Sequence, residues 1–572
     1  MQKIVSAAEM REIDRLTVER YATPSLLLME AAAAASARRI ASLFSNQLER
    51  RTVRVFCGRG NNGGDGAALA RALWAAGASV DVILFGQAEE TQGDARTNFE
   101  ILRRLSSFEA GSRERPSLLS FVECPDLASW EEVASGRRSY DLIVDALFGT
   151  GLTRPLEGVH RSVVAHVELL RRAREHAGLE RPFFVSLDLP SGLDADRAEP
   201  IGAAVRADLT VTFAAPKIAN VIPPAAHFNG QLSVAHIGSP PALLDAAPSQ
   251  LYLVEAEDVR RWLEETRYTP DSHKYTHGHA LLVAGSRRYT GAAVLSADAA
   301  MCAGAGLVTL AAPASALASI TPRLMPEVIT APLAETEGGA VGAEALEEAL
   351  RLTSRASAVG VGCGLSSEDE ETRRFVRLFV ERRASKPLLI DADALNALAP
   401  WPSELRGTKE APLILTPHEG EMRRLLAPGD EVAAATERLR ADRLGAARDF
   451  AVSHQLILVL KGTRTLVAAP DGRVFVIPTG NAGLGTAGSG DTLAGIITAF
   501  NAQAFATLKG DRDAPLENEA EALKATIAAV YVGGMAGDFA ACERGMRAMV
   551  ASDIREHLSR SFRALDAKGE QP

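Results

Sequence analysis

Short apolar segments that alternate with helical segments constrain the fold of this chain more than any other feature. Most of these segments are continuous in Val, Ile and Leu rather than alternating with polar residues. Strands that are apolar on both faces are typical of a parallel sheet covered by helices on both sides. We therefore predict an α/β fold in each half of the chain. The predicted strands are 53–57, 80–85, 142–147, 183–187 and 209–213 in the first half, and 279–284, 307–312, 358–361, 388–390, 413–415, 456–460 and 474–477 in the second.

Residues 238–250 carry the pattern of a domain boundary. The segment begins Gly-Ser-Pro-Pro and contains a further proline, Pro248, as loops and linkers do. The 572 residues are enough for two cores. We predict one domain over residues 1–240 and a second over residues 250–560, with different folds because no repeat relates them.

Composition and charge exclude several classes of protein. The net charge is -10, unlike the basic surface of nucleic-acid-binding proteins. The five cysteines are scattered without a CxxC pair, which favours a reducing compartment, and residues 1–9 lack the apolar segment of a signal peptide. The uncharged stretch 299–320 contains glycines and Pro313, so we predict a buried helix and a strand there rather than a membrane span. We expect a cytoplasmic protein that binds neither nucleic acid nor membrane.

A loop rich in glycine and asparagine follows the predicted strand 53–57. It reads GRGNNGGDG and leads into a helix. A strand, a glycine-rich turn and a helix together present backbone N–H groups to phosphate. The amide and carboxylate side chains suggest a cation, a ribose or a reacting group as well. The alternative is a tight turn that only needs left-handed residues.

Two further predicted strands of the first half end in carboxylates. Asp145 precedes the loop 149–155, and Asp188 begins the segment DLPSG, which includes Ser191. Ligands of open α/β sheets bind outside the carboxyl ends of the strands, so these loops are expected to converge. Carboxylates there serve as cation ligands or as acid–base groups. A monovalent cation held by Asn62, Asp145 and Ser191 would reconcile the acidic groups with an anionic ligand.

The second half contains a glycine-rich segment, 479–495, that reads TGNAGLGTAGSGDTLAG. Its glycines leave backbone N–H groups open to an anion, and the helix that follows adds its dipole at the same point. Asp491 lies in the first turn of that helix, where a carboxylate beside a phosphate suggests a base that deprotonates an attacking hydroxyl. The alternative is a close helix–helix contact with Asp491 as a cap.

Polar segments also end three other strands of the second half. Lys461-Gly-Thr-Arg-Thr offers two cations and two hydroxyls, although a hairpin turn is equally compatible with it. The segments DADALN, from Asp391, and LTPHEGE, which contains His418, lie at the ends of the strands 388–390 and 413–415.

The motifs of the first half, NNGGDG, VDALFGTGL and DLPSG, resemble the epimerase domain of the NAD(P)H-hydrate repair enzymes, a Rossmann-like three-layer α/β/α fold. The resemblance spans about residues 1–240 and implies epimerisation of (R)- and (S)-NAD(P)HX at C6. It also implies K⁺ held through Asn62, Asp145 and Ser191, with Asp188 as the candidate acid–base group. Where the family often has Asn-Ala-Gly, this chain has Ala31-Ala32-Ala33. The residues implied to contact the hydrate are Asn61, Asn62, Gly63, Gly64, Asp65, Gly149, Thr150, Gly151, Leu152, Thr153, Arg154, Pro155 and Asp188.

The motifs of the second half, GNAGLGTAGSGDTLAG, DADALN, LTPHEGE and KGTRT, resemble the ribokinase-like dehydratase domain of the same enzymes. The resemblance implies that ADP, or ATP in other members, phosphorylates the hydroxyl of (S)-NAD(P)HX with Mg²⁺ present, and that loss of phosphate restores NAD(P)H. Many relatives have Gly-Met-Ala-Thr where this chain has Gly-Leu-Gly-Thr at 483–486. The implied nucleotide contacts are Lys461, Gly462, Thr463, Arg464, Thr465 and Gly490, and the implied hydrate contacts are Ala292, Gly364, His418 and Asp491.

The resemblance implies two small-molecule substrates, NADHX and NADPHX, and we expect a homo-oligomer. One alternative keeps the second half as a ribokinase-like small-molecule kinase and makes the first half a non-catalytic nucleotide-binding module. The carboxylates Asp65, Asp145 and Asp188 favour catalysis in the first half.

Overall fold

The computed structural model describes residues 1–111, 117–136, 138–179, 182–427, 431–508 and 518–566. Residues 2–249 form one compact unit, and residues 250–572 belong to a second one. Each unit has its own sheet with parallel strands and interleaved helices. The predicted α/β class is therefore confirmed for both halves.

The unit of residues 2–249 alternates strands and helices from its beginning. Its strands are β1 (Gln2–Ile4), β2 (Thr52–Cys57), β3 (Ser79–Leu84), β4 (Leu119–Glu123), β5 (Leu142–Ala146), β6 (Phe183–Leu187), β7 (Leu209–Phe213) and β8 (Gln231–Ala235). Its α-helices are α1 (Ala7–Tyr21), α2 (Ser25–Leu43), α3 (Asn61–Ala75), α4 (Gly93–Gly111), α5 (Leu127–Ala134), α6 (Gly158–His176), α7 (Ile218–Val221) and α8 (Pro241–Asp245).

The sheet of this unit runs in the order β4-β3-β2-β5-β6-β7-β8, and every neighbouring pair is parallel. Val55 of β2 lies opposite Val82 of β3 and Val144 of β5. These three residues belong to one buried cluster, whereas Phe56 belongs to another cluster on the opposite face, with Val163 of α6. The two clusters are the reason for the continuous apolar pattern, because successive residues are buried on both faces.

The unit of residues 250–572 begins with a strand and ends with three long helices. Its strands are β9 (Leu251–Leu253), β10 (His279–Val283), β11 (Leu307–Pro313), β12 (Ile329–Leu333), β13 (Ala358–Val361), β14 (Leu388–Ile390), β15 (Leu413–Leu415), β16 (Ile457–Leu460), β17 (Leu466–Ala468) and β18 (Val474–Val476). Its α-helices are α9 (Ala256–Glu265), α10 (Thr290–Cys302), α11 (Ala314–Ile320), α12 (Leu346–Arg355), α13 (Glu370–Glu381), α14 (Ala392–Ala397), α15 (Glu419–Leu426), α16 (Val432–Ala441), α17 (Arg443–His454), α18 (Ser489–Leu508), α19 (Asn518–Arg544) and α20 (Ala551–Asp566).

The second sheet is parallel from β12 through β11, β10, β13, β14 and β15 to β16. β17 is antiparallel to both β16 and β18. Helix α18 packs against α10 and α19, and it also contacts β10 and β13. Trp262 of α9 stacks on Phe500 of α18 with 4.5 Å between the ring centroids. The core of this unit therefore lies between the sheet and the helices α9, α10, α18 and α19.

The stretch 299–320 contains the predicted buried helix end and strand, since α10 ends at Cys302 and β11 begins at Leu307. Among the described residues, one helix, α19, is long and apolar enough to cross a membrane by length and composition alone. In this protein, 83% of its apolar window is buried, and Leu523 and Val530 belong to the core. The helix is thus part of the packed interior of its unit.

Candidate active sites

The first site lies at the carboxyl ends of β2, β5, β6 and β7, which are adjacent in the first sheet. The loops after these strands line a cavity of about 870 Å³. Helices α1 and α2 complete the wall, with Asp14 and Met29 among the residues that face it. Parallel strands thus bring the predicted loops of the first half to one cavity, as expected from the sheet edge at which they emerge.

Of the predicted cation ligands, Asp145 is in β5, Asn62 is in the first turn of α3, and Ser191 lies in the loop after β6. Asp145 accepts hydrogen bonds from the hydroxyl of Ser191 at 2.6 Å, from the backbone N–H of Ser191 at 2.8 Å and from the hydroxyl of Ser186 at 2.9 Å. Despite these bonds, burial raises the pKa of Asp145. The amide oxygen and nitrogen of Asn62 are buried without a hydrogen-bond partner among the described residues. A buried carboxylate beside an unpaired amide oxygen is compatible with a cation held by oxygen ligands.

Asp188 lies directly after β6, with a backbone φ of +62°. One carboxylate oxygen, Oδ1, accepts hydrogen bonds from Lys217 Nζ at 2.6 Å and from the hydroxyl of Thr212 at 3.1 Å. The other, Oδ2, is 2.8 Å from the point where a Cβ on Gly149 would lie. Gly149 also approaches Asn62, so its lack of a side chain lets the acid and the candidate cation site lie close together.

Two more carboxyl groups, Asp14 and Asp65, face the same cavity. Burial, together with the charges of Asp188 and Asp14, raises the pKa of Asp65 well above its usual value. Burial also raises the pKa of Asp14 to about 6. The protonated form of Asp65 is therefore favoured relative to an ordinary aspartate, whereas Asp188 is paired with an ammonium group.

The two glycines inside the NNGGDG motif have a packing role. A Cβ on Gly63 would lie 1.8 Å from the carbonyl oxygen of Gly58, and one on Gly64 would lie 2.8 Å from Met29 and Ala95. Of the residues expected to contact the hydrate, the cavity wall contains Asn61, Asn62, Asp65, Gly149, Thr150, Gly151, Leu152, Arg154, Pro155 and Asp188, and it does not contain Gly63, Gly64 or Thr153.

The second site lies at the carboxyl ends of β14, β15 and β16, which are neighbours in the second sheet. Lys461 Nζ donates to Asp391 Oδ1 at 2.9 Å and lies 3.8 Å from Glu421 Oε2. Burial opposes the charged form of Lys461, but Asp391 and Glu421 outweigh it and raise the pKa. The backbone N–H of Lys461 donates to the carbonyl of Pro417 and ties two of these loops together.

Helix α18 begins beside this lysine. A Cβ on Gly490 would lie 3.3 Å from Lys461 Nζ and 3.8 Å from Asp391 Oδ2. Within the described residues, the backbone N–H groups of Gly490 and Asp491 have no backbone or side-chain acceptor. Unpaired N–H groups at a helix N-terminus, next to an ammonium group, form an anion-binding site.

Asp491 is placed at this helix N-terminus, next to the buried thiol of Cys363. Burial and the nearby charge of Asp391 raise the pKa of Asp491 to about 6, and a hydrogen bond from Cys363 acts in the opposite direction. Burial and the two aspartates raise the pKa of Cys363 well above its usual value, so the thiol stays neutral. A carboxylate with a pKa near 6 is ionised at neutral pH and can accept a proton.

The segment 461–465 is the turn of the β16–β17 hairpin. The hairpin alternative is therefore correct for its backbone, and the turn also supplies the ammonium group at the anion site. Arg443, at the start of α17, donates to the carbonyl oxygens of residues 460, 461, 463 and 464 and holds the turn in shape. Arg464 has a φ of +55° and donates to the carbonyl of Pro478 at 2.9 Å.

The remaining predicted contacts lie on neighbouring loops. His418 caps α15, and its Nδ1 accepts hydrogen bonds from the N–H groups of Gly420 and Glu421 at 2.9 and 3.3 Å. Its Nε2 can then carry the ring proton and donate a hydrogen bond to a ligand. Gly364 has a φ of +67° and packs against Ala292, where an added Cβ would lie 2.8 Å from that of Ala292.

Comparison with known proteins gives the same division of the chain. A family model described as YjeF-related protein N-terminus matches residues 25–219, and one described as NAD(P)H-hydrate dehydratase matches residues 280–560. The bifunctional NAD(P)H-hydrate repair enzyme of Moorella thermoacetica is 38% identical over 99% of this chain and 98% of its own length. The enzyme of that name from Thermofilum pendens is 37% identical over 98% and 97%.

The chain belongs to the family of bifunctional NAD(P)H-hydrate repair enzymes. The family assignment made from the sequence motifs is therefore confirmed. Among solved structures, an ADP/ATP-dependent NAD(P)H-hydrate dehydratase from Bacillus subtilis, co-crystallised with ATP and Mg²⁺, is 28% identical and covers 55% of this chain and 98% of its own, with a TM-score of 0.44.

Three side chains that the structure brings to these sites lie outside the sequence motifs and were not predicted. Lys217 follows β7 in the segment Ala-Ala-Pro-Lys, Asp14 lies on α1, and Arg443 lies on α17. None belongs to a glycine-rich or carboxylate-rich segment. The one available signal for Lys217 was its place after a predicted strand, 209–213, at the same sheet edge as the other loops.

Replacing Gly490 by Ala tests the anion site. Because the new Cβ would lie 3.3 Å from Lys461 Nζ, it occupies the space in which a phosphate oxygen would meet the ammonium group. We expect the dissociation constant for ADP, measured by isothermal titration calorimetry, to rise roughly tenfold or more, or about 1.4 kcal/mol. Gly485→Ala is the matched control, because a Cβ there meets nothing within 4 Å. Equal affinities for the two variants would contradict an anion site at Gly490.

Proposed function

We propose that residues 1–240 act as an NAD(P)H-hydrate epimerase and residues 250–560 as an ADP-dependent (S)-NAD(P)H-hydrate dehydratase. The observation that carries the proposal is that each unit gathers one reactive aspartate with its charge partners at its strand ends, Asp188 in the first and Asp491 in the second. The two chemistries are complementary, because the hydrate exists as two epimers and dehydration consumes one of them.

In the first site the reaction requires proton transfer at the hydrate carbon C6. This carbon is bonded to the ring nitrogen, so its hydroxyl can leave as water once protonated, and water can return from the opposite face. Asp65, whose pKa is raised by burial, is suited to give the proton, and the carboxylate of Asp188 is suited to take one from the returning water. The remaining cavity residues, including Thr150 and Arg154, would hold the dinucleotide.

The proposed K⁺ site consists of Asn62, Asp145 and Ser191. Its support is the unpaired amide oxygen of Asn62 and the buried carboxylate of Asp145, whose charge a cation would offset. When bound, K⁺ supplies positive charge that attracts the phosphates of the substrate. The protein's own residues fix the loops of β2, β5 and β6 around that point.

In the second site the hydrate hydroxyl attacks the terminal phosphoryl group of ADP. Asp491 takes the hydroxyl proton, and AMP leaves. The phosphate ester then departs as inorganic phosphate while the neighbouring ring carbon loses a proton, which restores the double bond of NAD(P)H. Lys461 and the N–H groups at the start of α18 would stabilise the transferred phosphoryl group. Gly462, Thr463, Arg464 and Thr465 would contact the nucleotide, whereas Ala292, Gly364 and His418 would contact the hydrate.

We propose ADP as the co-substrate, with ATP as the alternative, and Mg²⁺ bound with the nucleotide. Among the described residues, no cluster of three or more His, Cys, Asp or Glu side chains could hold a metal ion. The nearby carboxylates Asp391 and Asp491, of which Asp491 has a raised pKa, suit a divalent cation that arrives on the phosphates. The cation would neutralise phosphate charge during transfer.

We further propose a cytoplasmic homo-oligomer acting on NADHX and NADPHX. The support for the compartment is that the cysteines Cys57, Cys124, Cys302, Cys363 and Cys542 are all free thiols.

Two asparagine variants separate the activities. With mixed NADHX epimers and ADP, Asp188→Asn should recover the (S) fraction at the normal rate and convert the (R) fraction at least ~100-fold more slowly, as expected for a lost acid–base group. Asp491→Asn should recover neither fraction while still binding ADP. The measurement is the return of NADH absorbance, with ADP binding measured separately.

Each variant is the control for the other, because each leaves the other site intact. Unchanged (R) conversion in Asp188→Asn would remove the assignment of Asp188 as the acid–base group of the epimerase. Retained NADH recovery by Asp491→Asn would rule out Asp491 as the base. If the protein instead converted a vitamin precursor or a sugar into a stable phosphorylated product, the small-molecule kinase alternative would be favoured.

Exchange of K⁺ for tetramethylammonium tests the cation site. We expect conversion of (R)-NADHX to slow by roughly tenfold or more, since the carboxylate of Asp145 loses its counter-charge. Asn62→Leu should be slow in both salts, whereas the neighbouring Asn61→Leu, the matched control, should keep its response to K⁺. Equal rates of the unsubstituted protein in the two salts would rule out a K⁺-dependent epimerase.

A further inference from the structure

Lys217 is a buried cation next to the proposed base. Its side chain is 1% exposed, and its ammonium group lies 2.6 Å from Asp188 Oδ1. It also donates to the hydroxyl of Thr212 at 3.0 Å and to the carbonyl of Phe213 at 3.1 Å. All three donor positions of the ammonium group are thereby used, so its orientation is fixed. A buried ammonium group is costly unless it is paired in this way.

The hydrogen bonds distinguish the two oxygens of Asp188. Oδ1 is engaged by Lys217 and Thr212, on the side away from the loop that contains Gly149. Oδ2 is the oxygen that approaches Gly149, in the cavity wall. The pair therefore leaves a single carboxylate oxygen to face a ligand.

A second layer of polar side chains fixes the lysine loop. The backbone N–H of Lys217 donates to Asn220 Oδ1 at 2.9 Å, and Asn220 Nδ2 donates to the carbonyl of Asp188 at 3.2 Å and to Asn229 Oδ1 at 3.0 Å. Asn220 and Asn229 are both 1% exposed. The network joins the loop after β6 to the loop after β7, so Asp188 and Lys217 move together.

The surrounding charges explain why Asp188 needs a cation. Asp14 on α1 and Asp65 on α3 are two further carboxyl groups of the cavity wall, and burial together with the charge of Asp188 raises the pKa of both. Lys217 is the cation that favours the charged forms of both of these groups. Lys217 is also the ion-pair partner of Asp188, at 2.6 Å, so its removal would leave three acidic side chains at the cavity without this cation.

We propose that Lys217 is a positioning residue for epimerisation, which holds Asp188 through its Oδ1 and presents its Oδ2 to the hydrate. This inference rests on the proposed epimerase activity and adds to it the residue that makes Asp188 a base. The roles of Asp188 and Asp65 then differ because only Asp188 has the ammonium partner within hydrogen-bond distance.

The test uses the full chain, ADP and pure (R)-NADHX, with pure (S)-NADHX as the control for the dehydratase of the same chain. We expect Lys217→Met to lower kcat for the (R) epimer at least ~100-fold with KM changed less than roughly threefold, since the group acts on the base and not on binding. Recovery from (S)-NADHX should be unchanged.

Two variants serve as matched controls. Thr212→Val removes the neutral donor to the same oxygen and is of similar size, so the expected loss in kcat is less than roughly tenfold. Lys217→Arg keeps the positive charge and should retain more activity than Lys217→Met. Equal activity of Lys217→Met and Lys217→Arg, with both folded by circular dichroism, would overturn the proposal.

A double variant covers the case in which Lys217→Met fails to fold because Asp188 is left unpaired. Asp188→Asn/Lys217→Met removes both charges, so it is expected to fold and to be no slower than Asp188→Asn alone. If the loss in kcat of the double variant equals the product of the losses of the two single variants, Lys217 acts independently of Asp188, and the inference is overturned. Full activity of Asp188→Asn itself would instead overturn the proposed epimerase mechanism.

Discussion

Parallel pairing of the strands is the constraint on which both sites depend. Each parallel strand must be followed by a crossover, so all carboxyl ends and their loops emerge at the same edge of the sheet. In the first unit this places the loops after β2, β5, β6 and β7 around one cavity. In the second it places Asp391, Glu421 and Lys461 within contact distance, although they are far apart in sequence. A strand of the opposite direction would carry its loop to the other edge and remove its ligand from the site.

Both sites have to stabilise buried carboxyl groups, and they use a lysine for this in different ways. Both bury carboxyl groups, and each compensates them with one lysine: Lys217 for Asp188 and Lys461 for Asp391. In the first unit the ammonium group pairs with Oδ1 of the reactive carboxylate, and Oδ2 has no hydrogen-bond partner among the described residues. In the second it lies beside the unpaired N–H groups of α18, where it can attract phosphate. The lysine is therefore the ion-pair partner of the proposed base in the first site, whereas in the second site it can bind the phosphate.

The continuous apolar segments predicted most strands of the parallel part of each sheet, but not the edge strands or the short strands β9 and β17. Residues 209–213 and 388–390 were predicted with the bounds that β7 and β14 have, because continuous apolar segments are typical of strands covered on both faces. β4 and β12 lie at sheet edges, and β8 is the edge strand at the other end of the first sheet. They were missed because edge strands are partly exposed and mix polar residues into the pattern, as Glu123 does in β4. The opening helix α1 was also missed, since its pattern is mostly charged.

Prediction of the site residues from the sequence was limited in a similar way, because a side chain outside a motif gives no clear signal. Asn62, Asp145 and Ser191 stand in distinctive motifs, and in the structure Ser191 donates to Asp145 while the amide of Asn62 is buried without a partner among the described residues. Lys217 and Asp14 carry no such pattern, because a lysine after Ala-Ala-Pro or an aspartate on a charged helix looks like a solvated residue until the loop path is known. Gly63 and Gly64 show the converse, since they belong to a motif but are used for backbone packing.

The most direct measurement of the central claim, that one chain repairs both epimers, is the extent of NADH recovery by the unsubstituted protein. A mixture of known (R) and (S) content would be incubated with ADP, Mg²⁺ and K⁺, and NADH absorbance followed to completion. We expect the NADH absorbance to return to the value for the total hydrate, and we expect no recovery without nucleotide. Recovery that stops at the (S) fraction, or that proceeds without ADP or ATP, would contradict it.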